Sequence, residues 1–207
     1  MEILSFLIDF IVHVDRHIGE FVASYGVWVY ALLFAIVFVE TGLVVMPFLP
    51  GDSLLFVVGA LCGVGLMDLG TSMGLMFVAA VAGNQSNYTI GRAIGPKVFQ
   101  WEHSRWFNKR AFDRSHAFYE QYGGITIVLA RFLPFVRTFA PFVGGVAAMT
   151  RRKFTLYNVA GGLFWVTSLT LAGYLFGNIP WVKANLEKII WALILLPGLI
   201  ALWGAWK

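Results

Sequence analysis

Four ionisable residues stand where apolar side chains otherwise prevail. Glu40 and Asp52 lie in VETGLVVMPFLPGD (39–52), and Arg131 and Arg137 lie in ARFLPFVRTFAP (130–141). A charge at the centre of a bilayer costs about 2.5–3.5 kcal/mol on insertion scales, so such residues persist where they pair or face water. Two acids in one stretch match two arginines in the other. The chemistry this predicts is ion pairing between the stretches, in a polar site inside the membrane. Each residue also has a plainer reading. Asp52, after Pro50 and Gly51, is a good N-cap. Glu40 fits a purely structural ion pair with Arg131 or Arg137. The arginines fit snorkelling side chains.

Hydrolytic or metal chemistry has little support. His13, His17, His103 and His116 all fall in interfacial or loop segments, and neither an HExxH run nor a Cys/His metal spacing occurs. No catalytic residue, metal or cofactor is expected, and the chain reads as a transporter rather than an enzyme. The single Cys62 excludes an internal disulfide.

The elements that must position these residues are helices in a membrane. Of the 207 residues, 59% are hydrophobic and 13% charged, against about 25% charged in soluble domains. The length gives room for about four to six helical passes. Bases gather at Arg92, Lys97, Arg105, Lys109, Arg110 and Arg114, and again at Arg151-Arg152-Lys153. By the positive-inside rule both clusters mark cytoplasmic loops rather than a nucleic-acid surface. The N-terminus lacks the basic region and cleavage site of a removed signal peptide.

Residues 1–24 alternate polar and apolar side chains at helical spacing and predict an amphipathic helix in the interface. Residues 27–46 are apolar around Glu40. Pro47, Pro50 and Gly51 then break the helix. The apolar run at 53–67 is too short to cross and predicts a re-entrant arm. A span follows at 71–91, then a polar, basic surface segment at 96–122. The pattern recurs: a short apolar run at 123–133, breaks at Pro134 and Pro141, a short arm at 142–149, a span at 155–177, and a last span at 188–206.

The expected fold is all-α and polytopic, one membrane domain over 1–207. It has an inverted-repeat-like core, re-entrant hairpins at about 40–67 and 124–150, and a basic cytoplasmic segment at about 92–121. Arg131 and Arg137 would point about 240° apart on a regular helix, and Pro134 between them lets both converge. Gly91-x3-Gly95 and Gly173-x3-Gly177 suit close helix contacts. Asn84, Asn87 and Tyr88 either bond between helices or line a cavity.

Several motifs together resemble the bacterial DedA family, of the VTT-domain type. They are Glu-Thr-Gly (40–42), Phe-Leu-Pro-Gly-Asp-Ser (48–53), Asn-Tyr-Thr-Ile-Gly-Arg (87–92) and Ala-Arg-Phe-x-Pro-x-Val-Arg-Thr-Phe-Ala-Pro (130–141). The likeness runs from Tyr25 to Pro180. It implies a multi-pass bacterial inner-membrane (plasma-membrane) protein with two re-entrant hairpins, related in fold to eukaryotic VTT-domain lipid scramblases. It also implies a part in proton-motive-force-dependent transport and in cell-envelope homeostasis. Some members are implied to move undecaprenyl phosphate, and others are linked to phosphatidylethanolamine. The family's functional acids fall on Glu40 and Asp52, and its arginines on Arg131 and Arg137. At Gly83-Asn84 the chain departs from the Gly-Asp of many relatives.

The function expected is therefore a proton-coupled flippase of undecaprenyl phosphate or a related anionic phospholipid. Lipid head groups and protons are the partners, and a homo-oligomer stays open. Two other readings stand beside it: a proton-coupled antiporter of small cations or drugs, and a non-transporting envelope assembly factor.

Overall fold

The computed structural model describes residues 26–43, 51–99 and 109–185. Within them lie seven helices and no strand: α1 (Trp28–Gly42), α2 (Gly51–Gly63), α3 (Leu69–Phe99), α4 (Lys109–Ala130), α5 (Pro134–Val146), α6 (Arg151–Phe176) and α7 (Pro180–Ala184). The expected helix at 1–24, the breakers Pro47 and Pro50, and the span at 188–206 lie outside the described residues. Among those described, α6 is the one helix long and apolar enough to cross a membrane, while α1 and α2 are shorter apolar helices.

Helix boundaries differ from the expected ones in three places. The span expected to end at residue 91 runs on to Phe99. From Lys109 onward the surface segment is continuous with the apolar run after it, in one helix, α4. Pro141, expected as a break, lies inside α5, and the helix continues through it. Proline removes only the bond to the carbonyl four residues back, that of Arg137, and packing on both sides of the arm holds the remaining turns.

α6 buries a mixed face, with polar and glycine residues beside Phe154, Trp165 and Val166. Asn158, Gly161, Gly162 and Thr170 are buried, whereas Leu156, Leu163, Phe164, Leu175 and Phe176 are exposed. α4 likewise exposes Phe118, Tyr122, Ile125 and Leu129 along one stripe. Stripes of exposed large apolar residues on α4 and α6, with polar residues buried on α6, are consistent with a lipid surround.

The chain divides into two compact units. Unit 1 holds Met1–Val37, Phe48–Ala79 and Trp165–Lys207; unit 2 holds Phe38–Pro47 and Ala80–Phe164. Both are built alike. In unit 1, α2 runs parallel to the end of α6: Gly59 meets the Thr170 carbonyl, Gly63 meets Tyr174 and Asn178, and Gly173 meets Phe56. In unit 2, α5 runs parallel to the end of α3: Gly91 meets Phe142, Gly95 meets Val146, and Gly145 meets Tyr88 and Arg92. At these crossings backbone touches backbone, and a methyl group would not fit. The spaced glycines are therefore helix contacts, the geometry that small residues four apart permit.

The link from α5 to α6 is held by side chains around it. Ala148 adopts φ 54° there. The Tyr88 hydroxyl and Arg92 Nη1 both donate to the Met149 carbonyl, and His116 Nδ1 shares a hydrogen bond with the Ala147 carbonyl, at 2.8 Å. Thr150 N–H donates to Glu120 Oε1 at 2.6 Å, and Lys153 Nζ donates to the Glu120 carbonyl. The Thr150 N–H is the main reason the Glu120 carboxyl titrates below its ordinary value, with Lys153 adding to it. Asp68 starts α3 in the same way, accepting the Thr71 N–H at 2.7 Å.

Two measurements check this packing. Gly173→Ala sets a methyl against the Phe56 backbone, whereas Gly74→Ala, in α3, meets open space. In thermal unfolding in detergent, Gly74→Ala should stabilise by about 0.5–1 kcal/mol, and Gly173→Ala should destabilise by more than that. Equal effects would contradict the close crossing. A depressed folded-state pKa contributes stability that is present above the unfolded value and lost as pH falls through the folded one. The Glu120 contribution is thus present at neutral pH and should fade below the ordinary carboxylate value of 4.5. Glu120→Gln should flatten this acid dependence of the unfolding midpoint.

Candidate functional site

Unit 2 contains three of the four predicted charges. α4 ends at Ala130, and Arg131, Phe132 and Leu133 close a tight turn through bonds to the carbonyls of Val128, Leu129 and Ala130. Pro134 then opens α5 at a position that needs no N–H, and the preceding Leu133 is extended, at φ −116° and ψ 107°. This turn decides where the arginines go. Arg131 stays in the turn, and Arg137 enters the first turns of α5, its N–H bonded to the Leu133 carbonyl.

α1 brings the carboxylate. Val29, Leu33, Val37 and Glu40 form its buried stripe, at helical spacing. Glu40 is 1% exposed, Arg131 2% and Arg137 8%. Arg137 Nη2 donates to Glu40 Oε1 in a buried ion pair. Of the two structural pairings open to Glu40, the structure thus contains the one with Arg137. Arg131 and Arg137 are buried within the same unit.

Neighbouring amides fix the geometry. Asn87 Nδ2 donates to the Thr41 carbonyl at 3.3 Å and to the Thr138 carbonyl at 2.8 Å. Those carbonyls belong to the residues next to Glu40 and Arg137, so Asn87 stitches α1 to α5 at the ion pair. Gly83, one turn earlier on α3, lets the Thr41 side chain and the Phe38 carbonyl approach its bare Cα. Asn84 is buried on the same face. Tyr88 stacks on Phe154 at 4.1 Å and bonds to Met149. Asn87 Oδ1 and Thr138 Oγ1 are buried with no hydrogen-bond partner among the described residues.

Two further partners were not singled out from the sequence. Arg131 Nη2 donates to Asn158 Oδ1 at 2.6 Å and to the Asn158 carbonyl at 3.2 Å. The available signal was Asn158 itself, the one amide in the apolar helix α6, just before Gly161-Gly162. The other partner belongs to unit 1. There Asp52 sits in the first turn of α2, where the helix dipole favours an acid. Trp165 Nε1 donates to Asp52 Oδ1 at 2.8 Å. Among the described residues no group of His, Cys, Asp and Glu could hold a metal ion.

Comparison with known proteins gives a consistent picture. The VTT domain family matches residues 49–175. The chain is 55% identical over 205 residues to "Protein DedA" of Escherichia coli strain K12, covering 97% of this chain and 94% of the relative. It is 46% identical over 175 residues to an uncharacterized membrane protein of Mycobacterium leprae, covering 83% and 78%. It is 33% identical over 189 residues to "Inner membrane protein YghB" of Escherichia coli strain K12, covering 91% and 83%. No solved structure matches.

Breaking a buried ion pair from one side leaves a charge stranded, at a cost of about 3–5 kcal/mol. Glu40→Gln and Arg137→Gln should each destabilise the protein on that scale. The double variant should recover much of the loss. A double-mutant cycle on unfolding in detergent measures this, and a coupling energy near zero would contradict direct pairing.

Proposed function

The chain belongs to the VTT-domain family and is close to the DedA protein, and from that premise we propose a multi-pass bacterial inner-membrane transporter. Specifically, it is a proton-coupled flippase of undecaprenyl phosphate or a related anionic phospholipid, and not an enzyme. Relatives named as inner membrane proteins support the location. The observation that carries the reading is the burial of two guanidiniums with one carboxylate in a single unit of a protein with apolar outer faces.

The coupling follows from competition for Arg137. Ionised Glu40 holds the guanidinium. A proton taken up by Glu40 removes that negative partner and releases Arg137 to a phosphate oxygen. Replacing a carboxylate with a phosphate monoanion keeps the charge of the site balanced, so proton and head group favour each other's binding. Arg131 supplies the second fork, and a guanidinium fork binds phosphate by paired, charge-assisted hydrogen bonds. Asn87 Oδ1 and Thr138 Oγ1 add polar lining next to the ion pair. Asp52 is the second proton-carrying carboxylate, held by Trp165 within unit 1. The polyprenyl tail stays in lipid.

The arms suit this task. α2 and α5 have 13 residues each, about 20 Å of helix, against a hydrocarbon core of about 30 Å. Each therefore enters the bilayer without crossing it, as a re-entrant arm whose broken end brings polar groups to mid-depth.

The test is transbilayer movement of a labelled undecaprenyl phosphate analogue in proteoliposomes, with and without a pH gradient. Gradient-stimulated movement is expected. Arg131→Lys and Arg137→Lys keep the charge but lose the fork, and each should slow movement by about tenfold or more. Unchanged rates in both lysine variants would overturn the phosphate site. Proton-linked uptake of a small cation without lipid movement would favour the antiporter. No transport of either kind by folded protein would favour the assembly factor.

A further inference from the structure

We propose that Asn158 is the positioning residue of the phosphate site. It aims the Arg131 guanidinium without cancelling its charge, and thereby makes the site selective for a phosphate-bearing head group over a neutral one. This inference rests on the phosphate reading above.

The geometry is closed on both sides of the Asn158 amide. Nδ2 donates to the Val81 carbonyl at 3.0 Å. A carbonyl can only accept, so the amide cannot turn over without setting oxygen against oxygen. Oδ1 is thereby fixed toward Arg131, and it takes the Nη2 proton at 2.6 Å. The Asn158 backbone carbonyl accepts from the same nitrogen at 3.2 Å. Asn158 is fully buried, so this arrangement is sheltered from competing water.

The glycines after it complete the cradle. A Cβ at Gly161 would stand 3.4 Å from Arg131 Cδ and 3.2 Å from Val128 Cα. A Cβ at Gly162 would stand 3.3 Å from Arg131 Nη2 and 3.0 Å from Val81 Cγ2. The Arg131 stem thus lies along a bare stretch of α6 and ends on the Asn158 amide. Val81, Val128, Arg131, Asn158, Gly161 and Gly162 all belong to unit 2.

The residue type matters because an amide and a carboxylate would orient the guanidinium equally well but differ in charge. An Asp at 158 would form an ion pair with Arg131 and compete with any anionic ligand. It would also oppose the Val81 carbonyl. A neutral acceptor orients the fork without adding a negative charge that would compete with a phosphate for charge-assisted hydrogen bonds. A purely structural asparagine would predict otherwise: any substitution that keeps the protein folded would leave ligand preference untouched.

The experiment is thermal unfolding of the full-length protein in detergent, titrated with farnesyl phosphate and, separately, with farnesol. Ligand bound to the folded state raises the midpoint by mass action. For the natural sequence, farnesyl phosphate should raise it and farnesol should not. Asn158→Asp should raise the half-saturating concentration of farnesyl phosphate by about tenfold or more. Asn158→Gln, which keeps the neutral amide, should retain most of the response. Gly162→Ala crowds the guanidinium without touching the amide and should weaken the response in the same direction. It decides the matter if Asn158→Asp does not fold. An unchanged phosphate response in Asn158→Asp and Gly162→Ala, with Arg131→Lys impaired, would overturn the role of Asn158 and leave the phosphate site standing. No response to farnesyl phosphate in the natural sequence would overturn both.

Discussion

A carboxylate and a guanidinium withdrawn from water must hold one another, because the desolvation of each costs several kcal/mol and only close, well-bonded pairing offsets it. Glu40 and Arg137 impose that condition on unit 2. The stripe of α1 must bring Glu40 inward. The turn at Arg131–Leu133 must start α5 where Arg137 can meet it. Asn87 satisfies both demands at once, bonding to the carbonyls of Thr41 and Thr138. A buried pair is weak support for stability, since apolar residues of like volume often serve as well or better.

The glycines make this arrangement affordable in lipid. Without a hydrophobic drive between helices, close backbone contact supplies the attraction. Each short arm therefore packs on a glycine-bearing helix end, α2 on α6 and α5 on α3. The two units repeat one design with different polar content: Asp52 with Trp165 in unit 1, and the arginines with Glu40 and Asn158 in unit 2. α6 supplies a partner to both, through Asn158 and Trp165.

Much of this was legible in the chain. Charges in apolar stretches had to be matched, and opposite signs in the two broken segments made a pairing of Glu40 with an arginine readable before any coordinates. The apolar run at 53–67 marked the short helix α2, whereas α5 joins residues that the sequence divides at Pro141. The sequence was less informative where a local rule met tertiary packing. Pro141 signals a break, yet α5 is pinned at Phe142, Gly145 and Val146 and continues through it. The basic stretch from Lys109 looks like a separate surface helix, yet it joins the apolar run of α4. Asn158 and Trp165 give little sign of their partners, because a hydrogen bond across 27 or 113 residues leaves no periodicity.

The central claim is that a proton on Glu40 frees Arg137 for phosphate. Isotope-edited infrared difference spectroscopy of the protein in liposomes reads that proton directly, comparing samples with and without farnesyl phosphate. The account predicts a protonated-carboxyl band that appears on ligand binding and is absent in Glu40→Gln. Ligand binding with Glu40 still ionised would contradict it.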